Sequence, residues 1–292
     1  MTSMVKIREL AGWDLDVYPW REHIAKTPAF TQYVTDAKQF IATRTISDDC
    51  LLSDALLPEE TERHEALLAP QRLQPELQDE MHGLDWSLGA VDLRRLVAFQ
   101  RRLVLDPEHP PVAIPQQHDW QGLYDLAFAG QRNLRHDVSR ASSRNDATEV
   151  RLHSWNPDLR IVQTKPANGT SSRNTLPLRL TGGSPFFEVA SYRGRWFLRD
   201  GYHRAFAMLR AGVHIGFAVV VAALTVDELG AVGPWFFNEE TLFSNRPPMV
   251  TDFLEDTCVL QYDRPRLRKT ITMRIEESLE PHQDSQTNRT PQ

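Results

Sequence analysis

"RWFLRDGYHRAFAMLRAG", Arg195–Gly212, is the stretch that decides the fold. A short apolar run ends at Asp200-Gly201, and a polar Tyr202-His203-Arg204 triplet follows. Ala205, Met208 and Leu209 then recur at helical spacing until Gly212 stops the pattern, so the stretch reads as a strand turning sharply into a helix. Asp200 occupies the place where a carboxylate accepts from an early helix N–H, and Gly201 permits a tight turn and the close approach of a ligand. First-turn N–H groups have no partner within their helix and form an anion site. Helix electrostatics disfavours cations at that end, so a phosphate held between His203 and Arg204 accounts for their position. A plain corner fits the same residues. Asp-Gly is a common turn, Arg204 can pair with a carboxylate, and His203 can be a surface histidine.

Working outward, "FFEVASY" (Phe186–Tyr192) and "RWFLR" (Arg195–Arg199) flank Arg193-Gly194 as a β-hairpin would. "FAVVVAAL" (Phe217–Leu224) reads as a strand rich in valine, and "EVRLHSW" and "LRIVQT" as shorter ones. The first 130 residues read mainly as helix. "TPAFTQYVTDAKQFIAT", "LPEETERHEALLA", "SLGAVDLRRLVAFQRRLVL" and "WQGLYDLAFAG" carry apolar residues at three- and four-residue spacing or helix-start signals. "PEHPPVAIPQQ" interrupts them with prolines. The expected class is α+β, with a helical N-terminal region (1–130), a polar basic loop that is exposed and mobile (131–149), a small mixed-sheet domain (150–280) and a disordered tail (281–292).

The 292 residues are 41% hydrophobic and 25% charged, an ordinary globular composition. The longest apolar run, Gly216–Leu224, is far too short for a membrane helix, and the N-terminus has no signal-peptide pattern. Cys50 and Cys258 provide neither a disulfide framework nor a metal cluster, so a cytoplasmic bacterial protein without membrane contact is expected. The net charge of −6 is uneven. Residues 1–128 hold 12 Lys and Arg against 21 Asp and Glu, residues 129–180 hold 9 against 4, and residues 181–292 hold 12 against 14. The basic middle can attract phosphates or nucleic acid, or be a solvated loop. Phosphate-loop, nucleophile-elbow and dinucleotide fingerprints are absent from the sequence, and Leu68 stands where a zinc motif begun at His64-Glu65 needs its second histidine. "GPWFFNEE" (Gly233–Glu240) reads as core packing, with stacking on a base as the other use of its aromatics. Arg246 precedes a rigid Pro pair, in a loop that either returns to the turn or stays a surface feature.

"LRDGYHRAFAMLRAGVHIGFAVVV" (Leu198–Val221) resembles the central motif of the ParB/sulfiredoxin superfamily, in which a strand meets an Asp-Gly-x-His-Arg turn, an Ala-rich helix and a Gly before the next strand. The resemblance covers Phe186–Val221 firmly and 150–260 loosely; the N-terminal half lies outside it. It implies binding of a nucleotide or another phosphate-bearing ligand, such as ATP or CTP with Mg²⁺. Gly201, Tyr202, His203 and Arg204 would hold the phosphates, and His203, Asp200 and Glu188 would serve catalysis of phosphoryl transfer or phosphodiester hydrolysis. Two departures narrow it. Tyr202 stands where sulfiredoxins have a catalytic cysteine, and no helix-turn-helix follows as in partition proteins. The alternative is a non-catalytic nucleic-acid-binding module that uses the basic 129–180 segment.

Overall fold

The computed structural model describes residues 4–13, 27–44, 53–106, 113–128, 136–142, 148–154, 159–163, 178–181, 183–230 and 236–275. In chain order these hold β1 (Met4–Leu10), α1 (Pro28–Thr43), α2 (Pro58–Arg63), α3 (Glu65–Arg72) and α4 (Pro75–Glu80). Next come β2 (Trp86–Asp92), β3 (Val97–Ala98), β4 (Arg102–Leu105) and α5 (Trp120–Phe128). Four strands follow: β5 (His136–Ser142), β6 (Thr148–Ser154), β7 (Arg160–Gln163) and β8 (Leu178–Thr181). The hairpin strands β9 (Glu188–Tyr192) and β10 (Arg195–Asp200) lead into α6 (Tyr202–Arg210) and β11 (Ile215–Ala222). The chain continues with α7 (Val226–Leu229), α8 (Glu239–Leu242), a 3-10 helix at Val250–Leu254, β12 (Val259–Pro265) and β13 (Lys269–Ile275). The class is α+β. Among the described residues no helix is long and apolar enough to cross a membrane.

Contacts divide the chain into two compact units. The first joins Met1–Arg132 with Gly183–Arg266, and its main sheet has the order β2-β11-β9-β10-β3. β11 pairs with β2 antiparallel and with β9 parallel, so it lies inside the sheet. Consecutive side chains of a strand face opposite ways. Accordingly Phe217 meets the rings of Trp120 and His64 at 5.5 and 5.8 Å, on the face covered by α2, α3 and α5. A Cβ on Gly216 would stand 2.7 Å from Met208 Cε, on the face covered by α6. With both faces covered, the strand is an unbroken apolar run. The second sheet, β12-β1-β4, is antiparallel and sets Ile7 opposite both Tyr262 and Val104.

Two readings need correction here. "SLGAVDLRRLVAFQRRLVL", expected as a helix, forms β2, a 3-10 turn at Leu93–Arg95, β3 and β4. Leu88, Ala90, Val91, Leu93, Leu96, Val97, Ala98, Phe99 and Leu103 are all buried. When nearly every position is inside, helical spacing can be picked out of a strand that is covered on both faces. The deciding contacts are distant, because β2 bonds to β11 and β3 to β10. For the same reason the described N-terminal elements and the turn at Asp200 belong to one unit, where the change in texture near 150 suggested two regions. α1 forms as expected: Thr27 Oγ1 accepts from Phe30 N–H at 3.2 Å, Pro28 begins the helix, and Ala37 and Ile41 are buried.

The second unit joins Asn133–Gly182 with Leu267–Gln292. Its antiparallel sheet has the order β13-β6-β5, and β7 pairs separately with β8. The basic stretch 131–149, expected as a loop, contributes β5 and the start of β6, which pair from His136↔Ser154 to Ser142↔Thr148. Its polar residues carried no period-2 signal strong enough to be read as a strand. The tail 281–292 and Cys50 lie outside the described residues.

Candidate functional site

The site grows from the β9–β10 hairpin. Arg193 (φ 49°) and Gly194 (φ 76°) make a left-handed two-residue turn, the kind whose twist suits antiparallel strands. The ladder runs regularly from Arg195↔Tyr192 to Leu198↔Val189 and then slips, so that Asp200, not Arg199, stands opposite Glu188. The slip is a β-bulge with Arg199 as the extra residue. It reverses the alternation of side chains, and as a result both Arg199 and Asp200 can address Glu188.

Glu188 is 1% exposed. Its Oε2 pairs with Arg199 Nη1, and Arg199 Nε donates to the Glu228 carbonyl at 3.0 Å. Glu188 Oε1 is buried without a hydrogen-bond partner. Burial pushes the carboxyl up to about 7 and Asp200 adds to the rise, while the Arg199 charge and the nearby Ser184 hydroxyl oppose it. Asp200 closes the turn on two sides: Oδ2 accepts from Ser184 N–H at 2.9 Å, and Oδ1 accepts from Gly201 N–H. The turn at Asp200 ends a strand just before α6, as the sequence led us to expect. The N-cap, however, is Gly201, without a side-chain cap bond, and the Asp200 carboxylate that was expected to cap the helix holds Ser184 N–H and Gly201 N–H instead.

Gly201 is left-handed (φ 98°, ψ 21°), and a Cβ there would lie 2.7 Å from Phe187 Cδ2, itself buried. The residue is therefore required by conformation and by space. We expect Gly201→Ala to lower stability by about 2 kcal/mol, from the cost of a left-handed alanine and the forced shift of Phe187. A urea melt superimposable on that of the unmodified chain would contradict this.

The three residues that follow lie in different surroundings. Tyr202, expected among the phosphate-binding residues, is 5% exposed, and its hydroxyl oxygen accepts from Phe99 N–H at 3.0 Å and Gln100 N–H at 3.2 Å. Burial pushes its phenol well above the usual range. His203 is exposed and its Nε2 donates to the Val104 carbonyl at 2.9 Å. Arg204, expected to meet a phosphate, gives Nη1 to the carbonyls of Pro185 (2.9 Å) and Leu126 (3.1 Å), and Nη2 to that of Phe186 (2.6 Å). Its guanidinium also lies 5.6 Å from the Phe187 ring centroid. Burial lowers its pKa, while Asp200 and Glu188 pull it back up. A cation at a helix N-terminus is explained here by the carbonyls it satisfies.

Ser184, Phe187 and Arg199 belong to this corner and were not singled out from the sequence. The available signal was "GGSPFF" directly before the hairpin, where Gly183 is left-handed (φ 84°) and a Cβ on it would lie 3.3 Å from Asp200 Oδ2. The other candidates lie elsewhere. Phe236 and Phe237 pack against Phe99 and Trp13, with ring centroids 5.0 and 5.7 Å apart. Arg246 Nε donates to the Arg44 carbonyl, and the Arg246 carbonyl accepts from Trp13 Nε1. Cys258 is buried, and burial pushes its thiol up to about 12. Among the described residues no group of three or more His, Cys, Asp or Glu side chains can hold a metal ion. No protein-family model, no curated protein and no solved structure matches this chain.

Proposed function

We propose that the first unit binds a nucleoside triphosphate (ATP or CTP), or another phosphate-bearing ligand, at the Asp200–Arg204 turn, and that its chemistry is phosphoryl transfer or phosphodiester hydrolysis. The observation that carries this reading is the Glu188 carboxyl, buried with one oxygen unpartnered beside Asp200 at the start of α6. A plain corner gains nothing from a buried carboxyl with one oxygen left out of its pair with Arg199, and such groups concentrate at functional sites. First-turn main-chain N–H groups would meet the phosphate, with the exposed His203 imidazole donating beside them. Asp200 holds the turn. Glu188, poised near neutral pH, suits proton exchange. Mg²⁺ would enter with the nucleotide, since it needs only one or two carboxylates from a protein when phosphates and waters complete its shell. Asp200 and Glu188 fit that requirement, and Mg²⁺ would neutralise phosphate charge. Arg204, committed to carbonyls, has no part in this version of the site.

Calorimetric titration with ATP, CTP and GTP, each with and without Mg²⁺, tests the proposal. One nucleotide should bind, and His203→Ala should weaken it roughly tenfold, the loss of one hydrogen bond, with a parallel melt measuring what the lost bond to the Val104 carbonyl costs the fold. Absence of binding by all three nucleotides and by inorganic pyrophosphate would overturn it. The nucleic-acid reading keeps one supporting observation: the second unit carries 12 Lys and Arg against 8 Asp and Glu, while the chain as a whole is acidic. Affinity for nucleic acid that falls steeply with salt and ignores nucleotide would favour it.

A further inference from the structure

We propose that β13 is a self-association edge, on which two copies of the chain join their second units across a twofold axis at Thr272. The proposal is independent of the ligand site in the first unit. In that unit the outer strands of the main sheet are closed off: β2 meets Leu56 at Val91, and β3 meets Met249 at Val97. β13 differs. Among the described residues it pairs only with β6, in an unbroken register from Lys269↔Ser154 to Ile275↔Thr148, with no bulge and no proline. Thr270, Thr272 and Arg274 are exposed on one face, and Ile275 is 55% exposed at the end of the other. A regular, uncovered edge of this kind is a template for a further strand.

The strand's own residues fit a second copy of it. In an antiparallel pair centred on Thr272, all seven residues find partners: Thr272 faces Thr272, Ile271 faces Met273, Thr270 faces Arg274 and Lys269 faces Ile275. Each pair joins residues of one face. The apolar row that begins where Ile271 stands opposite buried Leu152 therefore runs on into the second copy. At about 3.4 Å per residue the two Arg274 lie about 14 Å apart along the strands and the two Lys269 about 20 Å, beyond the screening length of about 8 Å at physiological salt. Other registers are worse. Centring on Ile271 sets Arg268 against Arg274, and centring on Met273 leaves Lys269 and Thr270 beyond the ladder. Parallel pairing would set Arg274 beside Arg274. A twofold contact also closes on itself, so association stops at the dimer.

The test is sedimentation equilibrium on the full chain up to about 100 μM, a concentration that suits an interface smaller than the standard size. Monomer and dimer should exchange with concentration. Thr272→Lys should weaken the dimer roughly tenfold, because two like charges then face each other at the axis. Thr272 is exposed, so the melting temperature of the variant should stay where it was. Thr272→Cys gives a second, independent reading. The axis brings the two copies of this residue within disulfide reach, so mild oxidation should yield a covalent dimer. Ile271→Cys, which faces Met273, should yield far less, and the unmodified chain oxidised alongside accounts for Cys50 and Cys258. A chain that stays monomeric throughout overturns the proposal and leaves the edge to a strand of another protein. A dimer indifferent to Thr272→Lys, growth past the dimer, or equal cross-linking at 271 and 272 overturns it too.

Discussion

Arg204→Ala should destabilise the protein by about 4 kcal/mol and lower its melting temperature by roughly 10 °C, for a folded unit of this size. The guanidinium links four carbonyls from two segments, Leu126 and Ala127 at the end of α5 and Pro185 and Phe186 ahead of β9. Removing it abolishes charge-assisted bonds and leaves buried acceptors without donors, which is the more expensive half of the loss. Arg204→Lys should recover little, because a single ammonium cannot reproduce a planar fork that reaches all four oxygens. Thermal melting followed by circular dichroism, with nucleotide titration well below the transition, separates the roles. The opposite pattern, unchanged melting with lost phosphate binding, would show that the guanidinium serves the ligand.

The second large effect is a pH dependence confined to one residue. In an unfolded chain a glutamate carboxyl gives up its proton near pH 4.3, whereas folded Glu188 holds it up to about pH 7. Folded protein therefore binds more protons in that window. The stabilisation is complete below the lower value and is lost as pH rises through the upper one. Each unit of displacement corresponds to about 1.4 kcal/mol, so raising the pH from 4.5 to 8 should remove about 3 kcal/mol from the unmodified chain relative to Glu188→Gln. Glutamine mimics the neutral acid and has nothing to titrate, and every other ionising group is common to both chains. Denaturant melts across that range, compared pairwise, give the number directly. Parallel curves would mean that Glu188 is ionised throughout, held so by Arg199.

What the sequence disclosed was local. The strand, turn and helix of Arg195–Gly212 follow from an apolar run, an Asp-Gly pair and a three-four spacing, all within eighteen residues. The hairpin at Arg193-Gly194 and the caps of α1 follow in the same way. What remained hidden depended on pairing partners far away. Leu88–Leu103 has apolar residues at spacings a helix would accept, and it is pairing with β11, β10 and β1 that makes strands of it. The candidate site shows the same division. Asp200, Gly201 and His203 sit at the turn as anticipated, but the direction of Arg204 is set by the carbonyls of Leu126, Pro185 and Phe186, which no motif contains. The bulge that brings Arg199 and Asp200 onto Glu188 is one residue of slippage in a ladder, and no spacing in the sequence announces it.

The strand β1 has a further consequence for how the molecule is made. Its seven residues pair along their whole length with β12, from Met4↔Pro265 to Leu10↔Val259. A ribosome delivers β1 and withholds its partner until the roughly 250 residues between Leu10 and Val259 have followed. Throughout that interval an apolar strand edge, with Val5, Ile7 and Leu10 on it, is without its final neighbour. Contacts so distant along the chain slow folding and prolong exposure of sticky surface. The nascent polypeptide should accordingly be a client of holding chaperones. A chain halted before β12 should aggregate or be degraded, while supplying β12 completes the three-stranded sheet at a stroke.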